Sequence, residues 1–189
     1  MKKLLVLLLS GMIVFALPAC GGGATSRPAA SSNSSGTAAA SSQSGNSMQN
    51  ASSQSQTNIV IQPPSGWERV QGSVLQVHYL KGTASFMVKE EPAFTSKTLD
   101  GIVGEAKKKF EAAFKNVSYA GDVKTISVDG KDARAFIFTC KVSSLNMKYE
   151  YVYLLACGKT FAITFGDMED QFDSLSADYA QILKDIRFQ

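Results

Sequence analysis

Hydrophobicity divides the chain into three regimes. Leu4 to Phe15 is apolar except for Ser10 and Gly11, Gly21 to Thr57 carries Met48 as its one large apolar residue, and from Asn58 onward apolar and polar positions alternate. The periods of this last regime predict its elements. Asn58 to Gln62 reads as a short strand, ended by Pro63-Pro64 and a Ser65-Gly66 turn. Val74 to Leu80 and Ala84 to Glu90 are strand-like runs around the turn Lys81-Gly82-Thr83. Leu99, Ile102, Val103, Ala106, Phe110, Ala113 and Phe114 then recur at three- and four-residue spacing. They form one stripe of a helix from Thr98 to Lys115, with Thr98 as N-cap and Asp100 in the first turn. Gly101 and Gly104 inside it suggest close packing on a sheet.

Beyond Asn116 the period returns to two. Val123 to Val128 leads through Asp129-Gly130, a hairpin signal, into Ala133 to Val142. There Phe136, Phe138 and Cys140 share a face with Arg134 and Val142, while Ala135, Ile137 and Thr139 take the other. Met147 to Ala156 places Met147, Tyr149, Tyr151, Tyr153 and Leu155 together, and Cys157-Gly158 turns into Thr160 to Phe165. Phe172, Leu175, Tyr179, Ile182, Leu183 and Ile186 mark a terminal helix capped by Asp170 or Asp173. Runs of strands set apart from helices predict an α+β fold, an antiparallel β-sheet covered by helices. Several strands are apolar on both faces near their centres, so helices are expected on both sides.

The first two regimes set the domain organisation. Met1-Lys2-Lys3 followed by an apolar run has the layout of a secretory signal. The run is shorter than the ~20 apolar residues of a membrane-crossing helix, and Pro18 disturbs its end. Residues 1–19 are therefore read as a signal peptide, 20–57 as a disordered Ser/Ala/Gly-rich tether beginning at Cys20, and 58–189 as one α+β domain. A tether of this composition spans about 30–37 Å root-mean-square. The formal charge of +3 comes from Lys2, Lys3 and Arg27, all outside the domain. What remains is 16 basic against 16 acidic residues. That neutrality argues against a nucleic-acid partner, which needs phosphates neutralised by a basic surface.

Leu17-Pro18-Ala19-Cys20 resembles the lipobox of bacterial lipoproteins, with Leu three positions before Cys and Ala next to it. Pro18 departs from the small residue usual there. The resemblance implies cleavage between Ala19 and Cys20, diacylglycerol on the Cys20 sulfur, and anchoring on the extracytoplasmic side of the cell membrane. Two acyl chains on one residue suffice for stable anchoring where one is marginal. A second resemblance rests on Pro64-Ser65-Gly66-Trp67-Glu68, the order of elements, and the closing Ile182-Leu183-Lys184-Asp185-Ile186-Arg187-Phe188. Together these look like the PsbP/Mog1-like superfamily, which implies an α/β/α sandwich over nearly all of residues 58–189. The superfamily has no shared catalytic motif to transfer.

Few residues suggest chemistry. His78 is the only histidine, in a strand on its more polar side, which leaves no multi-histidine metal site and favours a structural or surface role. Ala156-Cys157-Gly158-Lys159-Thr160 ends like a phosphate-binding loop, but Tyr153 stands where the first Gly belongs and a strand follows. The run Asp167-Met168-Glu169-Asp170-Gln171-Phe172-Asp173 lacks the spacing of a calcium loop and reads as helix capping, with weak Ca²⁺ binding as the alternative. Cys140 and Cys157 fall too far apart on the predicted strands to bridge, so both are expected free and buried. Lys107-Lys108-Lys109, with Lys97 and Lys115, reads as a solvated helix face, with anionic lipid or wall polymer as the alternative contact.

The expectation is a membrane-anchored, extracytoplasmic lipoprotein whose monomeric domain binds or assists without catalysis, without cofactor or metal. Its partner is expected to be an envelope protein or wall polymer, and Trp67, Tyr149, Tyr151 and Tyr153 are the candidate groove residues. One alternative is a small envelope hydrolase using carboxylates such as Glu90, Glu91 or Asp167, although nothing in the sequence pairs them. The other is a transporter's solute-binding lipoprotein, disfavoured because 132 residues leave little room for two closing lobes.

Overall fold

The computed structural model describes residues 57–189, so the signal, Cys20 and nearly all of the tether lie outside the described residues. Alternation at period two becomes a seven-stranded sheet in the order β2-β3-β4-β8-β7-β6-β5. Its members are β2 (Glu68–Arg69), β3 (Val77–Lys81), β4 (Ala84–Glu90), β5 (Lys115–Val128), β6 (Lys131–Val142), β7 (Leu145–Ala156) and β8 (Lys159–Met168). Every neighbouring pair is antiparallel. Between β4 and β5 the chain forms α1 (Leu99–Ala113); after β8 come a single 3₁₀ turn (Phe172–Leu175) and α2 (Ser176–Asp185). β1 (Ile59–Val60) and β9 (Arg187–Phe188), the latter unforeseen, pair as a separate two-stranded sheet that joins the domain's first and last residues.

Two turns fix the register of the long meander. Asp129 and Gly130 between β5 and β6, and Cys157 and Gly158 between β7 and β8, all have positive φ (53°, 69°, 51° and 73°). That is the two-residue hairpin geometry whose twist matches the flanking strands. With register fixed, β7 buries both faces. Val152 and Leu154 join Phe86, Val88, Ile163, Phe165 and the α2 residues Tyr179 and Ile182 in the main aliphatic and aromatic core. Tyr151 and Tyr153 point the other way, where Phe136 and Phe138 meet α1 through Phe110, 4.6 Å from the Tyr151 ring and 5.0 Å from that of Phe138. One helix thus lies on each face, as the two-sided apolar strands required.

Several boundaries moved for identifiable reasons. β3 starts at Val77 because Val74 is fully exposed and the Ser73 hydroxyl accepts the Leu75 N–H, turning the chain before the strand. β5 starts at Lys115, eight residues before Val123, because irregularities at Lys115/Ser118 and Ala120/Lys124 break its period while its pairing with β6 resumes between and after them. Neither Asp170 nor Asp173 caps the last helix. Its N-cap position is Leu175, which makes no side-chain cap bond, while Asp173 binds Lys148 at 2.7 Å. Asp167 belongs to β8, buried, and accepts from the Thr83 hydroxyl and the Met168 N–H, both at 2.7 Å. Thr98 does cap α1, accepting from Gly101 at 3.2 Å. Gly101 is required by the Ser96 hydroxyl, 1.9 Å from where a Cβ would stand, and not by the sheet; Gly104 meets nothing.

Cys140 and Cys157 are both free, but the structure buries only Cys140. Cys140 lies opposite Met147, and Cys157 occupies the tip of the next hairpin, where a turn residue faces solvent. Burial raises the Cys140 thiol to a pKa of about 11. We expect maleimide to label Cys157 in the folded protein and Cys140 only after denaturation without reductant, as read by peptide mass mapping. Labelling of Cys140 in the native state would contradict the packing described.

His78 is buried, with Nδ1 3.1 Å from the Ser73 hydroxyl and Nε2 without a partner among the described residues. Burial lowers its pKa below the ordinary 6.5, because an imidazolium there has lost its water. The unfolded chain therefore binds the extra proton first as pH falls. Stability from this site is complete above about pH 6.5 and declines as acid is added. In chemical denaturation between about pH 7 and pH 5, His78→Gln should lessen that decline. An unchanged pH slope would remove His78 as its source.

Candidate functional site

A concavity lies where β4 and β8 end and the loop into α1 begins. The Glu91 N–H still donates to the Thr160 carbonyl at 2.8 Å, one residue beyond β4, and Pro92 then stops the pairing. Glu105 of α1 holds the following loop. Its carboxylate accepts from the Thr95 N–H at 3.0 Å, the Thr95 hydroxyl at 2.7 Å and the Ser96 N–H at 2.6 Å. These bonds, the Thr95 backbone foremost, keep the Glu105 carboxyl below its usual pKa. Phe94 packs edge-on against Tyr153 at 5.4 Å, and Lys109 Nζ stands 4.1 Å from the Phe94 ring centroid. The loop is therefore pinned from below and from the side.

Opposite it stands the β7–β8 hairpin, and the two enclose a hollow of about 370 Å³. Its apolar wall is Pro92, Phe94 and Leu155, the last 41 % exposed and Phe94 largely buried. Its polar wall carries Glu90, Glu91, Lys97 and Lys159. Glu90 pairs with Lys159 at 2.8 Å, and Glu91 with Lys89 at 3.1 Å. Lys97 has no ion-pair partner among the described residues. A second hollow, about 340 Å³, is bordered by Asp129, Lys184 and Arg187. There Asp129 is already engaged by Lys131, by the Phe188 N–H and by Arg187, so it serves to fix the chain's end.

The expected groove does not exist as one surface. Tyr149, Tyr151 and Tyr153 do lie in a file, with ring centroids 6.5 and 6.0 Å apart, but Tyr151 and Tyr153 are buried beneath α1 and the loop at Phe94. Burial pushes all three phenols above their ordinary pKa of 10. Tyr149 is half-buried and lies across Gly166, where a Cβ would come within 2.5 Å of its ring. Trp67 occupies the opposite face, 6.0 Å from Phe86 and 6.2 Å from Tyr179, with the sheet between it and the tyrosines. Its indole donates to Asp178 at 2.8 Å, and Lys81 reaches the same carboxylate at 2.7 Å. Trp67, Tyr151 and Tyr153 are core, and Tyr149 lies at its margin.

The hollow instead unites Glu90 and Glu91 with Lys159 of the turn that resembled a phosphate loop. Asp167, the third carboxylate considered, sits elsewhere with Thr83. Among the described residues, no group of three or more potential ligand side chains could hold a metal ion. Lys107 and Lys109 lie over the Tyr119 and Phe94 rings, at 4.5 and 4.1 Å, and Lys108 is exposed. Burial, with Glu111 nearby, raises the Tyr119 phenol to about 12. No helix among the described residues is long and apolar enough to cross a membrane.

No protein-family model matches the chain, and no curated protein matches it. Solved structures do. LpqN of Mycobacterium tuberculosis, described as involved in cell envelope biogenesis, is similar over 71 % of this chain and 84 % of its own, with a TM-score of 0.55 and 12 % identity. A cyanobacterial PsbP, CyanoP from Synechocystis, covers 70 % of this chain and 92 % of its own at a TM-score of 0.45 and 12 % identity. The likeness to LpqN is one of fold: an antiparallel α+β domain.

Core and ligand-binding roles for Trp67 separate cleanly. Trp67→Ala should destabilise the domain by about 3–5 kcal/mol in urea denaturation. A cost near zero would return Trp67 to the list of surface recognition residues.

Proposed function

We propose that the chain is a lipid-anchored, extracytoplasmic lipoprotein whose PsbP/Mog1-like domain is a non-catalytic binding or accessory module of the cell envelope. One observation carries the binding half of this reading. The hollow beside β4 presents an exposed leucine and an apolar wall, while its two carboxylates are each held by a lysine. General acid–base chemistry needs a carboxylate free to take and return a proton at the reacting atom. Two carboxylates already paired with ammonium groups suit recognition better. The fold shared with LpqN, a protein described as involved in cell envelope biogenesis, supports the envelope setting.

The anchoring half rests on Leu17-Pro18-Ala19-Cys20. Diacylglycerol on Cys20 would hold the mature chain in the outer face of the membrane, and the Ser/Ala/Gly tether would let the domain search about 30–37 Å around that point. The anchor confines a monomer near its partner and so raises the local concentration without any added contact. Binding therefore needs only a shallow site.

Two variants test the two halves. Cys20→Ala should move the protein from the membrane fraction to the soluble fraction, and the wild-type mature N-terminus should carry acyl mass. Leu155→Arg should keep the protein membrane-bound and folded yet reproduce the envelope phenotype of a deletion strain. A membrane-bound Cys20→Ala protein would sink the anchor; a wild-type phenotype for Leu155→Arg would sink the hollow as the binding site.

A further inference from the structure

We infer that the hollow beside β4 takes an aliphatic carboxylate, its apolar body against Leu155, Phe94 and Pro92 and its carboxylate beside Lys97. This deepens the binding reading above and rests on it. The volume of about 370 Å³ falls in the range of small-ligand sites. Leu155 offers the apolar contact: it is 41 % exposed although neighbouring Leu154 and Ala156 are buried, so a ligand would remove its side chain from water. Phe94, by contrast, is already fixed by Tyr153 and Lys109 and supplies a preformed wall.

Charge decides the ligand's other end. Four charged side chains line the hollow: Glu90 pairs with Lys159, Glu91 pairs with Lys89 outside the lining, and of the charges behind the loop Lys109 lies near Glu105. Of the two lysines that line the hollow, Lys97 is the one with no ion-pair partner among the described residues. A ligand with one negative charge completes the balance; a neutral ligand leaves Lys97 unpaired, and a cationic one is repelled. The loop that carries Lys97 is held by the three Glu105 bonds, so its backbone is in place before the ligand arrives. Because Lys97 itself is exposed, its pull is modest and weakens with salt. Most of the affinity must then come from the aliphatic body, at up to roughly fourfold per buried methylene.

Such chemistry has two sources, a fatty acid or the free C-terminus of a peptide ending in an aliphatic residue. Isothermal titration of the full chain, with Cys20→Ala so that no attached acyl chain competes, separates them. Sodium octanoate and acetyl-Gly-Gly-Leu acid are the probes; hexanoate, octylamine and acetyl-Gly-Gly-Leu amide are the controls. Saturable binding of an acid is expected, with the amide about fivefold weaker and octylamine weaker still. Binding should weaken about fivefold in Lys97→Ala and at least tenfold in Leu155→Asp, both checked for native circular dichroism. Octanoate binding tighter than the peptide acid, and weaker hexanoate, assigns the lipid source; the reverse order assigns the peptide.

Absence of saturable binding by either acid, equal binding of octylamine, or an unchanged Lys97→Ala affinity would overturn the inference. If titration fails while Leu155→Arg still reproduces the deletion phenotype, the ligand class is wrong and the binding reading stands. If that variant is also silent, both are lost.

Discussion

Strand β7 has no solvent side through its centre, and this constraint organises the rest of the domain. Tyr151 and Tyr153 fill one face while Val152 and Leu154 fill the other, all at 9 % exposure or less. A half-buried strand can be satisfied by one layer of cover; this one needs two. Covering an aromatic side chain contributes on the order of 1.5–3 kcal/mol. Either face left open would therefore forfeit a large part of a typical domain's net stability. The chain meets the demand by order. α1 leaves the end of β4, crosses the tyrosine face over β7 and β6, and delivers the chain to the far edge as β5. The meander β5–β6–β7–β8 then returns strand by strand to β4, and α2 closes the second face.

The second face needs a different device, because α2 is only ten residues long and has no side-chain N-cap. Isolated helices of that length are marginal in water, so tertiary contacts must hold it. Tyr179 and Ile182 supply the apolar part, and Asp178 supplies the polar part by accepting from both Trp67 and Lys81. Lys81 also donates to the Ser65 carbonyl at 3.2 Å. Gly66 sits there with φ of 90°, and a Cβ on it would stand 3.2 Å from the Lys81 side chain. This is why the turn reads Pro64-Ser65-Gly66-Trp67: the Gly lets the chain turn past Lys81, and the Trp carries it into the core. At the far end, Asn58 and Gln189 exchange backbone bonds of 2.7 and 2.8 Å, so the first and last residues of the domain lock each other.

What was legible in the sequence was whatever depends on local period. Ala84–Glu90 was read to the residue, the helix at Thr98 to within two, and the face of the tyrosine file correctly. Long strands lost their ends where irregularities interrupted alternation, as in β5, or where polar residues are buried with partners, as at Asp167 in β8. β9 was invisible because two residues carry no period; only pairing with β1 defines it. Sequence alone groups Trp67 with the tyrosines because composition marks an aromatic as sticky without saying which layer it enters. The hollow was missed for the same reason. Its walls come from residues more than 60 positions apart in sequence, Glu90 to Pro92 on one side and Leu155 to Lys159 on the other, and only the β4–β8–β7 register brings them together.

That register also explains why the hollow lies at this end of the sheet. Along the centres of β8 and β7 the ladder is continuous and both faces are buried, so a change there disturbs the core. At the strand ends the ladder stops, Pro92 prevents its extension, and the hairpin tip at Cys157 is exposed. A loop here can vary without disturbing the core, provided something fixes its shape. Glu105 does so from α1, a helix whose own position is set by Phe110 against the aromatic file. The same packing that satisfies the tyrosine face therefore holds the wall of the hollow. Core packing and the wall of the hollow are coupled through one helix: its inner side completes the core, and Glu105 and Lys109, beyond that buried stripe, position the loop that carries Phe94 and Lys97.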